Sequence, residues 1–160
     1  MIFVYLWRMS DSPLLAALEV ISLAGLTCGV LDIACTLTLS KFNGIAPMRL
    51  LQAVVCGLLG QKSFAGGVNA AALGLGIHFL IALTAAGAYY AASRKLSVLN
   101  EHAVLYGLLY GIAVHLFMSF VVLPLSALKR PFSIKAFAIQ LVVHMLFVGL
   151  PISLVVRHFA

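Results

Sequence analysis

Charge is what this chain has least of. Only 9% of its 160 residues are charged, and Asp and Glu together number four. Soluble domains carry roughly a quarter charged residues, so this chain cannot cover a water-facing surface. Hydrophobic residues make up 64%, and the mean hydropathy is +1.16. Cysteine is also sparse. Cys28, Cys35 and Cys56 have no disulfide framework or metal-ligand spacing, and they read as small apolar residues. There is no Gly-rich phosphate loop, no activated serine turn and no Ser-His-Asp order. The chain therefore reads as a non-enzyme. Its net charge of +6 comes from basic residues that flank apolar runs and form no long basic stretch. That pattern indicates lipid headgroups and topology signals, and excludes a nucleic-acid partner.

The apolar runs are continuous and of membrane-spanning length, which favours helices over a barrel. Helices also satisfy their own backbone hydrogen bonds in lipid. The sequence predicts an all-α polytopic membrane protein, with residues 1–160 forming a single membrane-embedded bundle. Four transmembrane helices are expected, from about Leu14 to Leu39, Gly67 to Ala92, Ala103 to Leu125 and Ile134 to Val156. Each exceeds the ~20 residues needed to cross a ~30 Å core. Four crossings put both termini on one side. No internal repeat at a fixed period is evident.

Between the first two spans, IAPMRLLQAVVCGLLGQKSF is too short and too amphipathic to cross. It predicts a short interfacial or shallow re-entrant helix, with Pro47 in its first turn. Its apolar stripe is Leu50, Leu51, Val54, Val55 and Leu58, with Arg49, Gln52 and Cys56 opposite. Gly66-Gly67 then reads as a hinge into the second span. The opening MIFVYLWRM is too short for a signal-peptide core. It reads as an interfacial anchor with Phe3, Tyr5 and Trp7 at headgroup level, or as a stretch preceding a start at Met9. Loops one and three hold Lys41, Arg49, Lys62, Lys129, Arg130 and Lys135. The other side holds Arg8, Arg94, Lys95 and Arg157, so positive-inside counting leans toward both termini outside.

Each span carries a polar residue near its middle: Asp32, His78, His115 and His144. Ionisable groups at that depth are costly and mark functional positions. Reading every fourth residue gives one strip per helix. The second span shows Ala70, Gly74, His78, Ala82 and Ala86; the third shows Ala103, Gly107, Gly111, His115 and Ser119. Small residues at this spacing let helices approach closely, and Gly74, Gly107 and Gly111 are the expected packing positions. The first span offers Ala24, Cys28, Asp32, Thr36 and Ser40, and the fourth offers Ala136, Gln140 and His144. At ~1.5 Å per residue the three histidines fall within roughly 2 Å of the midplane and Asp32 about 6 Å from it. The expected polar centre is Asp32, His78, His115, His144, Gln140 and Ser119.

Several chemistries suit such a layer. Three histidines and a carboxylate match a Zn or Fe ligand set, with His78, His115 and His144 as ligands from separate helices. Two facing histidines match haem, although the Gly and Ala strips argue for tight packing. Asp32 with the histidines also suits a proton or ion relay. The plainest reading is that these groups hydrogen-bond across helices and set the bundle's register, with no cofactor bound. The lipid bilayer is the expected partner. Homo-oligomerisation fits a small bundle with Gly-rich faces. Tyr89, Tyr90 and Tyr106 read as an interfacial aromatic belt.

Three stretches carry a resemblance: IHFLIALTAAGAYY in the second span, VHLFMSFVVLPLSAL in the third and VVHMLFVGLP in the fourth. They resemble YagU-like bacterial inner-membrane proteins, which are similar in having a histidine in corresponding spans. Those proteins also have a Ser and a Pro-Leu step after the third-span histidine. The resemblance covers about the second half of the chain. It implies a bacterial plasma membrane location and singles out His78, His115 and His144, with Ser119 and Pro124 as further matches. It implies no settled activity and does not extend to Asp32 or the amphipathic connector.

Overall fold

A computed structural model of the chain describes residues 12–129 and 131–160. The expected anchor at Phe3, Tyr5 and Trp7 lies outside the described residues. Those residues are helical, without strands. The main helices are α1 (Pro13–Phe42), α2 (Pro47–Leu59), α3 (Gly67–Ser93), α4 (Ala103–Leu125) and α5 (Ile134–His158). All but α2 are long and apolar enough to cross a membrane.

Local chemistry sets the helix ends. Ser12 caps α1 by accepting from the Leu15 N–H at 3.2 Å, with Pro13 in the first turn. Ser133 caps α5 by accepting from the Ala136 N–H at 3.4 Å. Such caps satisfy backbone donors that have no partner within the helix. Gly67 opens α3 at φ 54°, in the left-handed region that favours glycine. A 3-10 segment, Gly60–Ala65, links α2 to that turn.

Two helix pairs are built on close glycine contacts. A Cβ on Gly25 of α1 would lie 2.9 Å from Leu83 Cα of α3, and one on Gly29 would lie 2.8 Å from the Phe79 ring. Between α4 and α5 the approach is closer still. A Cβ on Gly149 would strike the Gly107 carbonyl and lie 2.7 Å from Gly111 Cα. The pairs join where α1 packs on α5 and where tyrosines bridge α3 and α4. Tyr89 and Tyr110 have ring centroids 5.0 Å apart, and the Tyr110 hydroxyl donates to the Ala85 carbonyl at 2.7 Å.

The apolar core of Val20, Ala24, Cys28, Ala82, Ala86, Tyr89, Val148, Ile152 and Val156 fills the half nearest the α3–α4 turn. Tyr89 thereby departs from the expected interfacial belt. It is 2% exposed, and its hydroxyl donates to the Leu99 carbonyl at 3.1 Å. That local acceptor lets the phenol sit in the core without an unmet hydrogen bond.

The connector helix is present as α2, but its buried face differs from the expected stripe. Gln52 and Cys56 are buried together with Val55, while Leu58 is 71% exposed. The cause is its seat on α3: a Cβ on Gly74 would strike the Leu51 carbonyl, so only glycine admits this crossing. Gln52 Nε2 then donates to the Gly67 carbonyl at 3.0 Å. At its far end the Gly57 carbonyl accepts from Ala127 N–H at 2.9 Å, tying α2 to the turn after α4.

Candidate functional site

The strips place their polar members toward neighbouring helices. Ala70, Gly74, Ala82 and Ala86 of α3 are buried, as are Ala103, Gly107, Gly111 and His115 of α4. In α1, Ala24, Cys28 and Ser40 are buried, with Asp32 and Thr36 half-buried between them. In α5, Gln140 and His144 are half-buried and Ala136 is exposed.

The four ionisable residues form two pairs, one on each pair of helices. On α1 and α3, Asp32 Oδ2 lies 4.0 Å from His78 Nδ1, with side-chain exposures of 16% and 14%. The other nitrogen of that ring, Nε2, donates to the Gly29 carbonyl at 2.9 Å. The bond runs from α3 to α1 where glycine lets the helices meet. On α4 and α5, the rings of His115 and His144 have centroids 5.0 Å apart, inclined at 55°. His144 Nδ1 donates to the Gln140 carbonyl at 2.8 Å. Gln140 thus contributes its backbone to this pair. His115 is 4% exposed and packs on the Phe137 ring at 4.6 Å.

Both histidine-bearing helices change their winding beside this pair. Met118–Val122 of α4 and His144–Gly149 of α5 are π-helical, and Ser119 lies half-buried in the first of these. Pro124 and Pro151 follow. Proline offers no N–H to the carbonyl one turn earlier, and a wider turn redistributes the freed backbone groups. Single π turns within α-helices recur at functional sites.

The expected ligand triad does not assemble. His78 pairs with Asp32, and His115 with His144. Among the described residues no three His, Cys, Asp or Glu side chains gather to hold a metal ion. The helical strips place each histidine on an inward face, but the order of helices around the bundle decides which of them meet. Haem does not fit between His115 and His144 either. Their rings touch each other, and the Gly107, Gly111 and Gly149 backbones close the space alongside.

Three buried polar atoms of this region have no hydrogen-bond partner among the described residues: Asp32 Oδ1, Thr36 Oγ1 and His115 Nε2. Thr36 was not among the expected centre residues. Its signal was its place one turn beyond Asp32 on the same strip. Tyr110 also escaped the sequence reading, although a phenol within a span needs an acceptor and so marks a helix contact. Comparison with family models, curated proteins and solved structures finds no match.

Proposed function

We propose that this is an integral membrane protein whose interior polar centre, Asp32, His78, His115 and His144, supports proton or ion movement. The observation that carries this reading is the set of open atoms, Asp32 Oδ1, Thr36 Oγ1 and His115 Nε2. Polar atoms that hold helices together close their bonds, as His78 Nε2 does on Gly29 and the Tyr110 hydroxyl on Ala85. A buried polar group left open costs about 1–3 kcal/mol, which favours a role in binding water, protons or ions. His78 has a structural share as well, because its bond ties α1 to α3.

In this reading α2 lies in the interfacial zone, with Leu58 and Leu59 turned to lipid and Gln52 turned to α3. The resemblance to YagU-like proteins, which rests on the three quoted stretches, would imply a bacterial plasma membrane. Self-association would extend the polar pathway, since four helices enclose little volume. A resident metal or haem forms no part of the reading, given the two-pair geometry.

The test is reconstitution of the purified protein into sealed vesicles under an imposed proton or alkali-cation gradient. Flux should exceed that of empty vesicles and fall at least about tenfold with Asp32→Asn, the loss of one essential ionisable group. Vesicles no leakier than empty ones, or flux indifferent to Asp32→Asn and His115→Ala alike, would remove this function.

A further inference from the structure

The lone pairs around Asp32 carry one step more. A carbonyl can only accept, so His78 Nε2 bears the hydrogen in its 2.9 Å bond to Gly29. In the neutral imidazole, Nδ1 is then an acceptor, and it faces Asp32 Oδ2 at 4.0 Å. One turn along α1, Thr36 Oγ1 is buried and unpartnered. The contrast lies within the chain itself: Thr38 and Thr84 each donate to the carbonyl four residues earlier, at 2.7 and 2.8 Å. Asp32 Oδ1 is open too. Nδ1, Oδ1, Oδ2 and Oγ1 thus present electron pairs, and of these four atoms only the Thr36 hydroxyl also carries a hydrogen.

We infer that Asp32, Thr36 and His78 form a binding site for one monovalent alkali cation, in competition with a proton on Asp32; this rests on reading the centre as ion-handling. Charge selects the valence. One carboxylate beside a neutral imidazole carries a single negative charge, which a monovalent ion cancels. A divalent ion would leave a net charge buried in the bilayer, at high cost. Three of the four donor atoms agree, because carboxylate and hydroxyl oxygens suit hard cations, while the imidazole nitrogen is a softer and weaker ligand for an alkali ion. The 4.0 Å gap between Nδ1 and Oδ2 admits a guest between them, where a direct shared proton would not reach.

The experiment is thermal unfolding of the full chain in mild detergent, titrated with lithium, sodium, potassium or choline chloride at constant ionic strength. At least one alkali cation should raise Tm saturably over choline, by ~3–6 °C at tenfold over its Kd. Asp32→Asn should abolish the rise. Thr36→Val should weaken binding about tenfold, the loss of one ligand, and Thr38→Val should leave it unchanged. A response equal in choline, or one that survives Asp32→Asn, overturns the site. If Asp32→Asn does not fold, equal binding in Thr36→Val and Thr38→Val overturns it instead. A cation-specific rise without vesicle flux would keep the site and remove the transport reading. Asp32-dependent proton flux without any cation response would do the reverse.

Discussion

Asp32 costs this chain about 2.5–3.5 kcal/mol on insertion scales, and its nearest basic atom, His78 Nδ1, stands 4.0 Å away without a hydrogen bond. A carboxylate so weakly compensated is not there for stability. Asp32→Asn should leave the unfolding free energy unchanged or raise it by up to about 1 kcal/mol, while His78→Ala should lower it by roughly 0.6–1.7 kcal/mol, the range for interhelical bonds in a membrane. Denaturant titration in mixed micelles checks both, and a loss in Asp32→Asn larger than that in His78→Ala would make the carboxylate structural. The cost of Asp32 made it legible in the sequence, as a lone acid deep in an apolar run. Thr36 was harder to read, because a helical threonine ordinarily satisfies itself one turn back, as Thr38 and Thr84 do. The Thr36 hydroxyl, by contrast, has no partner among the described residues.

Helix against helix, α4 and α5 approach closely where Gly149 enters the groove made by Gly107 and Gly111. The π segment His144–Gly149 sets that position, so the winding of α5 and the pairing of His144 with His115 are one structural fact. Gly149→Ala should therefore destabilise by about 3 kcal/mol, at the upper end for overpacking, since backbone must move. Gly76 of α3 meets nothing within 4 Å of an added Cβ. Gly76→Ala should be neutral or stabilising by up to about 1 kcal/mol, from helix propensity alone. Equal losses in the two variants, measured by the same titration, would deny the close α4–α5 contact. The small-residue strips were readable from spacing, because period and residue size fix which face can approach a neighbour. The face of α2 was not. Its seat on α3 decides instead: Leu58 faces out while Gln52 reaches the Gly67 carbonyl.

For the molecule as a whole, four apolar helices in alternating directions divide the chain's loops between two ends, with the Val98–Glu101 turn at one and α2 with the α4–α5 turn at the other. The number of long apolar helices and their approximate limits were legible because continuous hydrophobicity and length suffice to define them. The pairing of Asp32 with His78 and of His115 with His144 depends on which helices are neighbours, and no periodicity within one helix encodes that. Sidedness follows from charge: among the described residues five basic side chains flank the α2 end (Lys41, Arg49, Lys62, Lys129 and Lys135) and three the other (Arg94, Lys95 and Arg157), so the α2 end should lie in the cytoplasm. Single cysteines at Gln61 and Ser97, both exposed, report this directly when Cys35 is replaced, because Cys28 and Cys56 are 0% exposed and should resist labelling. A membrane-impermeant maleimide should modify Ser97→Cys in intact cells and Gln61→Cys only after permeabilisation. The opposite pattern would invert the bundle and make the α3–α4 turn cytoplasmic. Equal labelling from one side would mean that the loops share a face, and with it the four crossings and the buried depth of Asp32 would both be lost.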